Sequence, residues 1–419
     1  MHRYAISIDT EKLTTLKHIA MRCEKKLPPM WLLLALVALP KIAETVLAPG
    51  LPNLAHVWRL NAGHTQWTMS IFFLGFAVGV FLWGRVSDTI GRRPALLGGL
   101  ALGLLGTLIA ARTGNFELLL VGRFIQAMGL GTCSVTTQTV LRDCLSGPAL
   151  TRSFVTVGMV LAWSPAVGPL VGQKLSDWHG YQAILWLITA VIAMLFVATA
   201  RHLPETRDAS IQAVSTRTLA WRMLTDWQLM RSALLVAGLN ALAFSFYAAA
   251  PFLVGDLPVL GFAWIGIAVA LAGSLGAALN RRLHQGIVHA CRVRFGLASA
   301  LAGVLLQLVV VLTAESARVL WALAALPIFV GFGLAIPNIL APALRNYKDS
   351  LGRAGAFFGV AYYTLLGAML AVTSALPLDN PLPLDGFWLV IAVMLLATHG
   401  EGVTDDDRTP RAGKLESGQ

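Results

Sequence analysis

Charge is what this sequence has least of. Only 13% of its 419 residues are Asp, Glu, Lys or Arg, about half of the ~25% carried by a soluble domain. A mostly soluble fold is therefore excluded. Cysteine is also scarce. Cys23, Cys133, Cys144 and Cys291 have no paired spacing and no accompanying histidine, which argues against a zinc site or a disulfide framework. The nine histidines sit at segment edges or in loops and form no ligand set. Glycine-rich segments are apolar, without a phosphate-binding loop or a dinucleotide fingerprint. Residues 1–30 lack the short apolar core and small-residue cleavage site of a secretory signal. No catalytic cluster remains, so neither an enzyme nor a metal or organic cofactor is expected.

What is abundant is long apolar sequence. Hydrophobic residues make up 56% of the chain, in runs that approach the ~20 residues a bilayer helix needs. Twelve spans are predicted, near 31–54, 64–84, 94–112, 116–140, 152–176, 181–200, 232–253, 260–279, 293–313, 318–340, 354–376 and 383–398. The expected fold is an all-α membrane protein. The last span is short and carries Asp385 near its start; Glu44 reads as the one carboxylate well inside a span.

Lysine and arginine orient the spans. Segments on the N-terminal side of the membrane hold 26 of them, and the opposite side holds Arg59, Arg112, Lys174 and Arg318. Basic loops stay in the cytoplasm, so both termini are expected there. The net charge of +11 thus reflects topology, and no nucleic-acid partner is expected. Trp58, Trp67, Trp178, Trp264 and Trp321 fall at predicted outer boundaries, and Trp31 and Trp83 at inner ones, depths that suit amphipathic rings. Residues 1–30 read as a basic amphipathic helix that could lie on an anionic membrane face.

Between the second and third spans runs Gly84-Arg85-Val86-Ser87-Asp88-Thr89-Ile90-Gly91-Arg92-Arg93-Pro94. A linker this short turns its flanking helices into a hairpin, and Pro94 fits the first turn of the second. The stretch resembles the signature that the major facilitator superfamily carries at this place. Gly84, Asp88, Gly91, Arg92 and Arg93 match it; Val86 and Thr89 replace the usual leucine and arginine. The resemblance implies twelve helices in two six-helix bundles, with a latch at these residues that favours the outward-facing state.

Further elements carry the same resemblance. Leu203-Pro204-Glu205-Thr206 is similar to the L-P-E-T that closes span six in drug-exporter branches. The second half keeps only Asn280-Arg281-Arg282-Leu283, without the acid. Arg123 in span four, followed by Gln126-Ala127-Met128-Gly129, resembles the R-x-x-Q-G-x-G element linked to proton coupling. A charged residue inside a span is costly and marks a pathway or a pair. Pro165-Ala166-Val167-Gly168-Pro169-Leu170-Val171-Gly172 resembles the G-P-x-x-G signature of antiporters, through Pro165, Gly168, Pro169 and Gly172. Residues 40–52 resemble the D-M-Y-L-P-A-L-P stretch of Bcr/CflA-type exporters, although aligning Pro49 with its first proline puts the family's acid at Thr45. Phe246-Tyr247 to Phe252, Pro337-Asn338 and Arg142-Asp143 add to that likeness.

In span one Lys41 precedes Glu44 by three residues, which puts both on one helix face. Burial disfavours a charged carboxylate and a neighbouring ammonium favours it, so protonation of Glu44 could respond to which side is open. Proton coupling is assigned to Glu44, Lys41 and Arg123. Cavity-lining candidates are the polar and aromatic residues of span interiors, Gln126, Gln138, Trp163, Asn240, Tyr247, Asn338, Tyr362 and Tyr363. The expected parts are a cytoplasmic basic segment 1–30, an N-terminal bundle 31–203, a cytoplasmic loop 204–231, a C-terminal bundle 232–398 and a disordered polar tail 399–419. Together these imply a monomeric, proton-driven exporter of small organic molecules in the bacterial inner membrane. Export of a self-made metabolite such as a siderophore, or proton-coupled uptake, are the alternatives.

Overall fold

The computed structural model describes residues 28–207, 216–254, 261–283, 287–313 and 318–400. The amphipathic segment 1–27 and the tail 401–419 lie outside them. Every regular element among the described residues is helical. They are α1 Met30–Thr45, α2 Leu51–Trp58, α3 Ala62–Ile90, α4 Arg92–Arg112, α5 Phe116–Cys144, α6 Gly147–His202 and α7 Thr216–Thr225. There follow α8 Trp227–Val254, α9 Gly261–Leu283, α10 His289–Thr313, α11 Arg318–Ala324, α12 Leu326–Ala343, α13 Leu351–Ser374 and α14 Leu382–Gly400. Eleven helical segments among the described residues are long and apolar enough to cross a membrane. The predicted spans 152–176 and 181–200 both fall in α6, which is broken at Gly180 by a backbone φ of 71°.

Helix starts are chemically marked. Asn61 accepts the His64 N–H at 2.7 Å to open α3, and Asn115 accepts the Glu117 N–H at 2.8 Å to open α5; such caps satisfy backbone donors that have no helical partner. The expected loop 204–231 is partly helical. It contains α7, and Asp226 caps α8 through the Leu229 N–H at 3.2 Å, so α8 begins five residues before the apolar run at 232. α1 and α2 are one predicted span with a joint in it. Pro49 and Pro52 each start a helical turn of Ala48–Gly50 and α2, and the joint falls just after Glu44.

Glycine lets helices touch backbone to backbone. A Cβ at Gly129 of α5 would lie 2.2 Å from the Gly103 nitrogen of α4. A Cβ at Gly331 of α12 would lie 2.2 Å from the Gly296 carbonyl oxygen of α10. In a bilayer, such close approach replaces the hydrophobic drive between helices. The N-terminal helices meet the C-terminal ones chiefly along α3 and α13. Ser70 and Ser374 hydroxyls lie 2.9 Å apart, and further along a Cβ at Gly84 would sit 3.3 Å from Ala356. α6 meets α9 near Pro169 and Gly266.

Candidate functional site

Lys41 and Glu44 lie on the last turns of α1, beside the joint. The Lys41 ammonium donates to Glu44 Oε2 at 2.9 Å, and Glu44 is fully buried. Glu44 Oε1 has no hydrogen-bond partner among the described residues. The same ammonium stands 4.9 Å over the Phe244 ring of α8 and 5.9 Å over the Tyr363 ring of α13, within cation–π range. The pair therefore belongs to α1 but touches two C-terminal helices. An isolated buried carboxylate costs several kcal/mol in desolvation, so the ammonium offsets a penalty that α1 could not carry alone.

Arg123 of α5 lies behind Glu44 and is fully buried. It donates to Gln126 Oε1 at 2.5 Å and to the Ala43 carbonyl at 3.4 Å, and its guanidinium covers Phe72 at 4.5 Å. Phe72, Phe73 and Phe76 of α3 close the space between. Phe73 lies 4.7 Å from Phe244, and Phe76 lies 4.7 Å from Tyr363. Tyr362 and Tyr363 are in contact at 4.0 Å between centroids. The centre is thus two cations and one carboxylate inside an aromatic wall. The phenylalanines were not predicted; their signal is the Phe72-Phe73 pair followed by Phe76 on one helix turn.

Thr45, the position of the family's acid in the proline alignment, faces elsewhere. Its hydroxyl donates to the Lys41 carbonyl at 3.1 Å, and a Cβ on Gly168 would meet its Oγ1 at 2.1 Å. Gly168 and Gly172 of α6 are where the helix joint of α1 seats. A Cβ at Gly172 would lie 2.0 Å from the Val46 carbonyl oxygen. Gly172→Ala should therefore lower the melting temperature in detergent, since overpacking costs about 1–3 kcal/mol. Gly158→Ala, where nothing lies within 4 Å, should be neutral in the same scan; equal stability of the two variants would refute the contact. The Pro165 side chain lies outside the described residues, and Pro169 abuts α9.

Other predicted cavity residues disperse. Tyr247 packs among Phe244, Phe246 and Phe329, next to the centre. Asn240 donates to its own helix at Val236. Gln138 is half-buried and Trp163 is exposed on α6. Asn338 donates to Asn280 Oδ1 at 2.7 Å, where Arg292 also donates at 3.2 Å. These three join α9, α10 and α12.

The α3–α4 turn holds a larger cluster than its signature residues. Arg92 is buried and donates to Asp88 at 2.6 Å, to the Ser87 carbonyl at 2.7 Å and to Asp143 of α5 at 2.9 Å. Glu205, after α6, caps α4 by accepting the Arg92 and Arg93 N–H groups at 2.8 and 3.1 Å. Arg93 is exposed and donates to the Ala200 carbonyl at 2.6 Å. Gly91 has a φ of 106°, a backbone conformation that favours glycine, and a Cβ there would meet the Glu205 carboxylate at 2.5 Å. Asp143 and Glu205 were noticed only as likenesses. Acids ending spans four and six on the same membrane side were their sequence signal.

Burial would raise the Glu205 carboxyl, but N–H donors from Arg207, Arg92, Arg93 and Thr206 outweigh it and hold it below its ordinary 4.5. A depressed group stabilises the fold above its ordinary value and loses that contribution as pH falls through the depressed one. Exchange of the Arg92 and Arg93 amides, corrected for intrinsic rate, should accelerate as pH drops below 4.5. Glu205→Gln should remove that pH dependence; an unchanged profile would dismiss the cap.

Comparison with known proteins gives the family. The family described as Major Facilitator Superfamily matches residues 32–372. An uncharacterized transporter of Rickettsia felis is 31% identical over 366 residues, covering 83% of this chain and 89% of that protein. Multidrug resistance protein D of Escherichia coli is 26% identical over 399 residues, covering 90% and 98%. A chloramphenicol resistance protein of Pseudomonas aeruginosa is 28% identical over 363 residues, covering 83% and 84%.

Proposed function

The chain belongs to the major facilitator superfamily, and from that premise we propose that it exports small organic molecules in exchange for protons. It is a multi-pass membrane transporter and not an enzyme. The drug-resistance names of two relatives support an organic substrate that is carried outward. The observation that carries the coupling is the ammonium of Lys41, shared between Glu44 and the rings of Phe244 and Tyr363.

A proton on Glu44 cancels the charge that holds Lys41. The ammonium then depends on aromatic faces that belong to α8 and α13. Protonation thereby changes the energy of the seam between N- and C-terminal helices, which is what alternating access requires. Arg123, bonded to the neighbouring Ala43 carbonyl, adds a second cation near Glu44. Substrate in the aromatic wall competes for the same ammonium and the same rings. One occupant raises the free energy of the other, and their exchange is antiport.

The remaining reading follows the same frame. Twelve helices form two six-helix bundles in the bacterial inner membrane, with cytoplasmic termini. The cluster at Asp88, Arg92, Asp143 and Glu205 stiffens the cytoplasmic end of the first bundle, while Gly84 against Ala356 is where it latches to the second. Gly168 and Gly172 let α6 carry the α1 joint. The proton gradient is the energy source, and the carrier works as a monomer without a cofactor. The test is purified full-length protein in proteoliposomes. An outward-directed substrate flux should grow with an imposed proton gradient and release counted protons on substrate addition. Flux indifferent to the gradient would reject antiport, and a growth screen in an efflux-deficient strain would identify the compounds.

A further inference from the structure

Away from the centre, a cavity of about 590 Å³ opens where the outer ends of α3, α8, α10 and α11 meet the loop before α14. Its lining includes Ala62, Phe252, Arg318, Trp321, Asp379 and Asn380. Trp321, predicted at an outer boundary, is buried, with its ring stacked on Trp388 and on Phe246 at 5.9 and 5.8 Å. Its indole N–H donates to both carboxylate oxygens of Asp385, at 3.2 and 3.1 Å. Asp385 is fully buried in the first turn of α14. Asp385 is therefore a second fully buried carboxylate, at the start of its span where Glu44 lies well inside one.

Asp385 differs from Glu44 in its company. No ion pair joins it to a cation among the described residues. Among the described residues, the charged groups that line the cavity at its end are Arg318 and Asp379. The helices packed against α14 include α8 and α10. Their Arg231, His289, Arg292 and Arg294 sit toward the opposite ends, as does His399 of α14. Tyr247 of α8 packs among Phe244, Phe246 and Phe329. The helix start and the indole favour the anion, but neither supplies a counter-charge to a group out of water. Such a carboxylate in a membrane span marks a functional position.

We propose that Asp385 is a second proton-binding site, loaded from the outer face through this cavity, with Trp321 as the side chain between water and acid. The proton from outer water goes to a carboxylate oxygen. That oxygen becomes a donor, so the indole keeps one acceptor in place of two. The assignment extends the exporter reading by giving the carrier an outer proton site in the C-terminal helices, separate from Glu44.

The experiment has two arms. Tryptophan emission of the full-length protein in detergent is titrated with pH for wild type, Asp385→Asn, Trp321→Phe and Glu44→Gln. A titrating component present in wild type and Glu44→Gln, and lost in both other variants, is expected. Superimposable wild-type and Asp385→Asn titrations would overturn the proposal. If Asp385→Asn does not fold, Trp321→Phe and Asp385→Glu decide: loss in the first with a shifted component in the second is expected, and no change in either overturns it. In proteoliposomes, Asp385→Asn should lose the dependence of flux on outer-side pH while Glu44 still releases protons on substrate addition; an unaltered outer-side profile counts against the proposal. Were wild type to show no proton-coupled flux, the exporter reading would fail while the emission titration still judged Asp385.

Discussion

Replacing Glu44 by glutamine should leave a folded carrier that no longer exchanges substrate for protons. Glutamine matches the size of glutamate and keeps an oxygen that can accept from the Lys41 ammonium, now 2.9 Å from Oε2. What it loses is a charge that can be switched. Lys41 retains Phe244 and Tyr363 beneath its ammonium and is about one-fifth exposed. The expected loss of stability is therefore modest, about 1–2 kcal/mol, well short of the 3–5 kcal/mol that an orphaned buried charge can cost. Substrate-induced proton release should fall to background, at least ~10-fold, while substrate counterflow without a gradient persists, because only the proton step is lost. Replacing both charges by apolar side chains, Lys41→Met with Glu44→Met, should recover stability but not coupling, since a matched apolar pair avoids both desolvation costs. Robust gradient-driven efflux from Glu44→Gln would remove this residue from the coupling role.

Arg92→Ala should be the most destabilising single change at the α3–α4 turn. One guanidinium there serves the Asp88 carboxylate, the Ser87 carbonyl and the Asp143 carboxylate, tying α3, α4 and α5 together. Asp88 is partly exposed and can be rehydrated; Asp143 is mostly covered and cannot be without opening the contact. The cost is about 3 kcal/mol, set by the covered partner. Arg92→Lys should recover only part of it, because an ammonium lacks the planar fork that reaches separate acceptors. Thermal unfolding in detergent reads both, and a wild-type melting temperature for Arg92→Ala would dismiss the cluster as a structural tie. Transport by Arg92→Lys, compared with its stability, separates a latch from a brace. A latch loses transport at full folding; a brace loses the two together.

Much of the site was legible in the chain because its signals are local. Lys41 and Glu44 share a helix face at a spacing of three, and that follows from helical geometry. The Asp88–Arg92 pair is likewise an i, i+4 contact. Arg123 was legible because a charge in an apolar span is rare. Asn338 misled for the same reason that Gln126 did not. Both are polar residues in apolar spans, yet one meets Arg123 and the other meets Asn280. Which happens depends on how each helix is rotated about its axis, and polarity alone does not say.

The sequence by itself determined the membrane class, the order of apolar segments, the basic bias of one set of loops and the signature turn, because each rests on composition or on neighbours within about one helical turn. Only the tertiary structure decided that Lys41 reaches α8 and α13, that Asp143 and Glu205 join the Arg92 cluster, and that Asp385 lies beneath Trp321. These contacts join residues from 51 to more than 300 positions apart. They are set by glycine-lined helix crossings and by the α1 joint on Gly172, whose geometry is a property of paired surfaces and of no single segment.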